Sequence, residues 1–133
     1  EVVGRPIRAE TASFMVESIL TSVVERGTGK KGQLAGYSVF GKTGTAQKQS
    51  SRGGYERGRY ISSFIAGAPA SDPQIVALVV LNDPTKGSEP FGGKVAAPAV
   101  REILQRSLVY RGVPHDREAV AQSKEREPFR FTD

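Results

Sequence analysis

Seven consecutive apolar residues at positions 75–81 constrain the fold more than any other feature of this sequence. A strand that is apolar on both faces is typical of the inside of a sheet, where a layer covers each side. A second strand is predicted over 60–69, and only the turn Ser71-Asp72-Pro73 separates the two segments. Because so short a link cannot hold a parallel crossover, it favours an antiparallel meander. The predicted fold class is α+β, with an antiparallel sheet packed against helices.

A third strand is predicted over 37–46, because that segment alternates and is rich in β-forming residues. Residues 47–59, which follow it, are rich in Ser, Gly, Arg and Lys. That composition indicates either a mobile connection or the tip of a long hairpin. The sheet predicted for this chain therefore has three strands.

Two amphipathic helices are predicted on either side of the strands. The first covers about 10–26 and ends at Gly27, a residue that readily caps a helix. Its apolar residues recur at three- and four-residue steps: Phe14, Met15, Val16, Ile19, Leu20, Val23 and Val24. So wide an apolar face predicts a core helix with a broad packing partner. The second helix covers 95–110, with Pro98 in its first turn. Its predicted core stripe is Val100, Ile103, Leu104 and Leu108.

Composition excludes several classes of site. The chain has no cysteine, so it has no disulfide and no thiolate metal site. His115 is its single histidine, which disfavours a structural zinc site, and we expect neither a metal nor a cofactor. The net charge of +5 is spread along 133 residues without a dense basic block, which disfavours nucleic acid as a partner. No apolar run approaches the roughly 18 residues that span a bilayer.

The residues that carry chemistry gather at the end of the strand predicted over 37–46. Lys42, Thr43, Gly44 and Thr45 place an ammonium, two hydroxyls and a glycine within four residues. This combination suits an anionic or carbonyl-bearing ligand, because glycine lets a ligand approach the backbone closely. Two plainer interpretations stay open. Lys42 could be a solvated lysine at a strand end, and both threonines could be ordinary β-formers.

Two motifs suggest a nucleotide site. Residues 36–43 fit the P-loop expression G-x-x-x-x-G-K-[ST], but a P-loop needs a helix that begins at the lysine. Gly44 and Gly53-Gly54 disfavour a sustained helix there. Residues 27–32 match G-x-G-x-x-G, yet the predicted order is helix before and strand after, the reverse of a dinucleotide site. A P-loop-like nucleotide-binding protein is therefore kept only as an alternative.

The whole arrangement resembles the C-terminal part of penicillin-binding protein transpeptidase domains, nearest to the class B type of cell division and elongation. Two segments carry the resemblance: 36–47 (Gly-Tyr-x-Val-x-Gly-Lys-Thr-Gly-Thr-Ala-Gln) and 92–98 (Gly-Gly-Lys-Val-Ala-Ala-Pro). The resemblance covers roughly residues 7–111. It implies an incomplete serine-type D,D-transpeptidase or β-lactamase-like fold over 1–112, followed by a charged, flexible tail over 113–133.

The resemblance also implies roles for the Lys-Thr-Gly segment, which forms one wall of the active-site cleft in that family. Lys42 would assist proton transfer and steer the carboxylate of the substrate. Thr43 and Thr45 would offer hydroxyls to that carboxylate, and Gly44 would let the ligand lie against the backbone. The backbone N–H of Thr45 would be one donor of the oxyanion hole. The implied ligands are the peptidoglycan stem peptide and β-lactams.

The departures from the family pattern matter as much as the matches. The sequence contains no Ser-x-x-Lys, where the family's nucleophile lies. Its only asparagine, Asn82, follows Val80 by two positions, so the Ser-x-Asn motif is missing as well. Both motifs precede Lys-Thr-Gly in the family, so we expect the chain to start partway through the domain. Without a nucleophile, the chain alone is not expected to be an active transpeptidase.

Further expectations follow from a partial domain. Its main partner would be the missing N-terminal part, and divisome or elongasome membrane proteins are further implied partners. The resemblance places the parent protein in the cell envelope, at the extracytoplasmic face of the membrane. In the isolated chain the strand at 75–81 should become an exposed edge, with marginal stability or self-association. The alternative is a noncatalytic binding or structural remnant of the same fold.

Overall fold

The computed structural model describes residues 4–84 and 89–117. An N-terminal helix consists of α1 (Ala9–Ser13), a π-helical segment (Phe14–Leu20) and α2 (Thr21–Glu25). A single 3-10 turn (Lys30–Gly32) precedes the strands β1 (Phe40–Gln49), β2 (Tyr55–Ala68) and β3 (Ile75–Asn82). Two helices follow, α3 (Gly92–Val95) and α4 (Ala97–Tyr110). Within the described residues, none of these helices has the length and apolar character needed to cross a membrane.

The three strands form one antiparallel sheet in the order β1-β2-β3, which confirms the predicted meander. The segment between β1 and β2 is the tip of a long hairpin. The strands extend to Gln49 and restart at Tyr55, so most of the segment predicted as a connection is strand. Gly53 and Gly54 supply the positive φ angles of the turn, 89° and 77°.

β1 begins three residues later than predicted. Leu34 and Tyr37 form an isolated antiparallel bridge, and Gly36 turns the chain with a φ of 80°. The amide of Ser38 donates to the carboxylate of Asp116 at 2.7 Å and so is engaged outside the sheet. Residues 37–39 are therefore a buried segment that leads into β1.

The helices cover one face of the sheet and form the core there. Phe64 and Ala66 of β2 are buried with Val24 of the N-terminal helix. The buried residues of α4 are Ala97, Val100, Leu104 and Leu108. Ile103, predicted as part of that stripe, is 44% exposed. Around the helix axis Ala97, Leu104 and Leu108 lie to one side of Val100 and Ile103 lies to the other, so Ile103 is at the flank of the buried stripe.

The opposite face of the sheet is apolar and exposed. On β3 the side chains of Val76, Leu78 and Val80 are 57%, 58% and 55% exposed, and Ile61 and Ile65 of β2 adjoin them. The prediction that this run is covered on both sides is therefore wrong for the described residues. β3 is an edge strand, as we predicted for the isolated chain, and nothing in this part of the chain lies over its outward side chains.

The first helix differs from the prediction in the same way. Phe14, Met15 and Ile19 are exposed, and only Thr21 and Val24 are buried. The broad packing partner predicted for its apolar face is thus not among the described residues. At the other end, the predicted tail 113–133 lies mostly outside the described residues. Its first five residues contact the rest of the chain, and the boundary at 112 stays a prediction.

Candidate active site

β1 remains extended from Phe40 to Gln49, straight through Lys42 and Thr45. A P-loop lysine begins a helix whose first amides face the phosphates, and no helix begins here. The P-loop alternative is therefore wrong. The second nucleotide motif fails for a similar reason, because α2 precedes residues 27–32 and a 3-10 turn ends them.

The strand register distributes the predicted site residues over two faces. Thr43 pairs with Phe64 and Thr45 pairs with Ser62, and both β2 residues are buried on the helix-covered side. Since paired residues of an antiparallel ladder share a face, the two threonines point to that side. Lys42 starts from the opposite, exposed face.

The ammonium of Lys42 nevertheless reaches Thr43. Its Nζ donates to the carbonyl oxygen of Thr43 at 2.9 Å and lies 3.5 Å from the Thr43 hydroxyl. The side chain bends around the strand, so the positive charge lies next to the polar groups on the other side. Lys42 and Thr43 thus form one polar cluster although they leave the backbone in different directions, and Thr45 follows Thr43 on the same face of β1.

Thr28 joins this cluster, and the sequence analysis did not identify it. Its Oγ1 lies 2.9 Å from Oγ1 of Thr43, and either hydroxyl can donate. The amide of Gly29 donates to the carbonyl oxygen of Val23, which ties this loop to the end of the N-terminal helix. Thr28 lies in the glycine-rich segment 27–32, and no spacing in the sequence relates it to Thr43.

Gly92 and Gly93 hold the second matching segment directly against this cluster. The amide of Gly92 donates to Oγ1 of Thr45 at 3.3 Å. A Cβ at Gly92 would overlap the carbonyl oxygens of Ser63 and Gly44, and one at Gly93 would overlap the carbonyl oxygen of Thr28. The two glycines are therefore required for α3 to rest on β1, on β2 and on the Thr28 loop.

Gly44 has a neighbour within the chain itself. A Cβ at Gly44 would come within 2.5 Å of the Ser63 hydroxyl, on the face from which Lys42 starts. Close packing against β2 is thus sufficient to explain a glycine here. Its predicted role in admitting a ligand stays a prediction.

β1 pairs with β2 alone, so its other edge has no strand neighbour in the described residues. Cavities of about 540 and 640 Å³ exist, but their linings do not include Lys42, Thr43 or Thr45. The described residues therefore form one wall of a candidate site, next to the open edge of β1. Among these residues, no three His, Asp or Glu side chains converge as metal ligands would.

The comparisons with known proteins agree with this arrangement. The family model described as "Penicillin binding protein transpeptidase domain" matches residues 1–105. The chain therefore belongs to the penicillin-binding protein transpeptidase domain family, which confirms the resemblance read from the sequence. Stage V sporulation protein D of Bacillus subtilis is 44% identical over 112 residues, which are 84% of this chain and 17% of that protein.

Solved structures show the same fold. The apo transpeptidase domain of Burkholderia pseudomallei penicillin-binding protein 3 superposes with a TM-score of 0.72 at 38% identity, over 81% of this chain and 32% of that one. Penicillin-binding protein 3 of Mycobacterium tuberculosis in complex with aztreonam gives a TM-score of 0.74 at 31% identity, over 87% and 28%. The predicted α+β fold class is confirmed. The chain spans less than a fifth of the length of Stage V sporulation protein D and about a third of the first solved domain.

Proposed function

We propose that this chain supplies the Lys-Thr-Gly wall of a peptidoglycan D,D-transpeptidase, an enzyme that crosslinks the cell wall by acyl transfer. The observation that carries the proposal is that Thr43, on the strand with the open edge, contacts both the Lys42 ammonium and Thr28 in a chain of this family. The short coverage of its relatives supports a partial domain whose nucleophile lies elsewhere in the parent protein. The ligands would be a stem peptide and, by the same acylation chemistry, β-lactams.

The backbone of β1 supports the proposed oxyanion role of Thr45. The carbonyl oxygen of Thr43 accepts from the Lys42 ammonium, whereas those of Gly44 and Ser63 lie together beneath Gly92, between the strands. Backbone groups of a strand alternate in direction, so Thr45, two residues after Thr43, would direct its N–H to the same open edge. An amide fixed there could stabilise the negative oxygen of a tetrahedral intermediate.

The side chains support the rest of the assignment. The Lys42 ammonium would favour a substrate carboxylate and assist proton transfer at the nucleophile. The hydroxyls of Thr43 and Thr45 would donate to that carboxylate, and the contacts with Thr28 and Gly92 limit the directions in which they can do so. Penicillin-binding protein 3 of M. tuberculosis is described in complex with ampicillin and with aztreonam, which supports β-lactams as ligands here.

The exposed apolar face of the sheet is evidence for the proposal that the main partner of this chain is the missing N-terminal part of the domain. Such a face is larger than isolated surface residues and indicates a surface that another element covers. By family membership we place the parent protein at the extracytoplasmic face of the cytoplasmic membrane. Divisome or elongasome proteins are proposed as further partners on the same basis.

A fluorescent penicillin tests the proposal on the full-length protein that carries this sequence. We expect covalent labelling, and we expect Lys42→Ala to reduce the labelling rate by about 100-fold or more. Lys48→Ala, which removes a lysine from the same strand, is the matched control and should label normally. A full-length protein that folds but does not label would reject the transpeptidase and leave the noncatalytic remnant of the fold.

A further inference from the structure

Residues 113–117 contact three successive positions just before β1, namely Gly36, Tyr37 and Ser38. We propose that they form a C-terminal clasp and that Asp116 is a positioning residue for the Lys42–Thr45 wall, acting through Ser38. This inference rests on the function proposed above. The clasp lies beyond residue 105, where the match to the family model ends.

The clasp engages Gly36 and Tyr37 first. The hydroxyl of Tyr37 donates to the carbonyl oxygen of Val113 at 2.8 Å, and the Tyr37 ring meets His115 edge to face, with centroids 4.6 Å apart. The amide of Arg117 donates to the carbonyl oxygen of Gly36 at 3.2 Å. Gly36 has a φ of 80°, and a Cβ there would come within 2.7 Å of the His115 ring. Glycine at this position therefore allows the clasp to approach.

Asp116 makes the central contact. One carboxylate oxygen accepts from the amide of Ser38 at 2.7 Å, while the other accepts from the hydroxyl of Ser38 and from that of Ser71 at 2.8 Å. The Ser38 hydroxyl in turn accepts from the amide of Ala70 at 2.8 Å. A single carboxylate thus joins the clasp to the start of β1 and to the connection between β2 and β3.

This arrangement matters because, within the described residues, β1 has a strand neighbour on one side only. The ladder with β2 holds that side of the strand, and the clasp holds the residues that lead into it. Ser38 is buried and lies two residues before β1 and four before Lys42. Charge-assisted hydrogen bonds to its amide and hydroxyl fix that end of the strand. Because small displacements of catalytic groups lower the reaction rate, loss of this anchor would lower the rate at the active site.

The test measures penicillin acylation by the full-length protein and separates the saturation constant from the first-order acylation rate. Asp116→Ala removes all three acceptor contacts and should lower the acylation rate roughly three- to tenfold, with a smaller change in the saturation constant. Asp116→Glu, which keeps the carboxylate, should restore part of the rate. Asp72→Ala is the matched control, since Asp72 is an exposed carboxylate of the neighbouring turn that contacts Gln74. If Asp116→Ala fails to fold, Ser71→Ala removes a single contact and should lower the acylation rate by a smaller factor.

Amide hydrogen exchange of residues 38–45 provides a readout that does not need activity. We expect faster exchange there in Asp116→Ala than in the wild type, and no change in Asp72→Ala. Unchanged exchange would reject the clasp, and faster exchange with an unchanged acylation rate would reject the positioning role. A wild-type protein that penicillin does not label would overturn the proposed function and, with it, the positioning role of Asp116. Whether the clasp exists would still be decided by comparing amide hydrogen exchange in Asp116→Ala and in the wild type.

Discussion

The hydroxyls of Thr28 and Thr43 lie 2.9 Å apart although fifteen positions separate the two residues in the chain. This contact joins the loop after the N-terminal helix to the strand that carries Lys42. Because Thr43 is also next to the Lys42 ammonium, a change at Thr28 should affect how the cluster presents its donors. The loop that follows the N-terminal helix is thus part of the candidate site.

Thr28→Val should lower penicillin acylation of the full-length protein by roughly fivefold. The substitution keeps the shape of the side chain and removes one hydrogen bond, whose net value is about 1 kcal/mol. Acylation kinetics measure the loss, and Thr11→Val, at an exposed threonine of α1, is the control. A rate equal to that of the wild type would show that the Thr43 hydroxyl needs no support from Thr28.

Gly92→Ala should destabilise the domain by about 2 kcal/mol or more, because the added methyl group overlaps two backbone oxygens that cannot rotate away. Thermal or denaturant unfolding of the full-length protein measures the change. Gly4→Ala is the control, since a Cβ at that position meets no atom within 4 Å. Equal loss in both variants, or no loss in either, would contradict the close packing described for α3.

The sequence predicted the sheet well because its signals are local. The apolar run in β3, the short turn before it and the alternation through Lys42 each depend on neighbouring residues only. For that reason the order of strands and the extended backbone at Thr45 were predictable. The family resemblance contributed the roles of Lys42, Thr43 and Thr45, which periodicity could not supply.

What the sequence could not predict depends on contacts between distant segments. Thr28 meets Thr43, and Asp116 meets Ser38, across intervals with no characteristic spacing. The start of β1 was placed too early for the same reason, because the Ser38 amide is engaged by a residue 78 positions away. The exposure of the Phe14 side chain was also unpredictable. Helical periodicity identifies an apolar face, but it does not show whether the chain contains the element that packs against that face.

The Asp116 contacts should depend on pH. Burial alone would raise the pKa of this carboxyl, but the hydrogen bonds from Ser38 and Ser71 outweigh it and hold the pKa below the ordinary 3.8. A lowered pKa in the folded state means that the contribution to stability is complete well above pH 3.8 and is lost as pH falls through the folded-state value. Glu17 and Arg117 are charged groups that line the same pocket as Asp116.

Asp116→Asn should therefore be less stable than the wild type near neutral pH, with a difference that shrinks as the pH falls below 3.8 and through the folded-state pKa of Asp116. Unfolding measured for both proteins across this range gives the difference directly. The pKa of Asp83 is also lowered, chiefly by a hydrogen bond from Arg59, but it is common to both proteins and cancels. A difference that stays constant with pH would show that the carboxylate charge is not what holds Ser38.

The isolated chain should self-associate through the uncovered face of the sheet. Val76, Leu78 and Val80 lie next to the exposed apolar residues of β2, and the outer edge of their strand has no partner among residues 4–84 and 89–117. Water-exposed apolar patches and free strand edges of this kind favour association.

Leu78→Lys should shift the chain towards monomer in analytical ultracentrifugation, because a charge at the centre of the patch opposes its burial. Tyr55→Lys, at a side chain that is 65% exposed near the hairpin tip and ten residues from the partner of Leu78 on β2, is the control and should leave the association unchanged. A chain that is monomeric and stable without either substitution would contradict the proposal that another part of the domain covers this face.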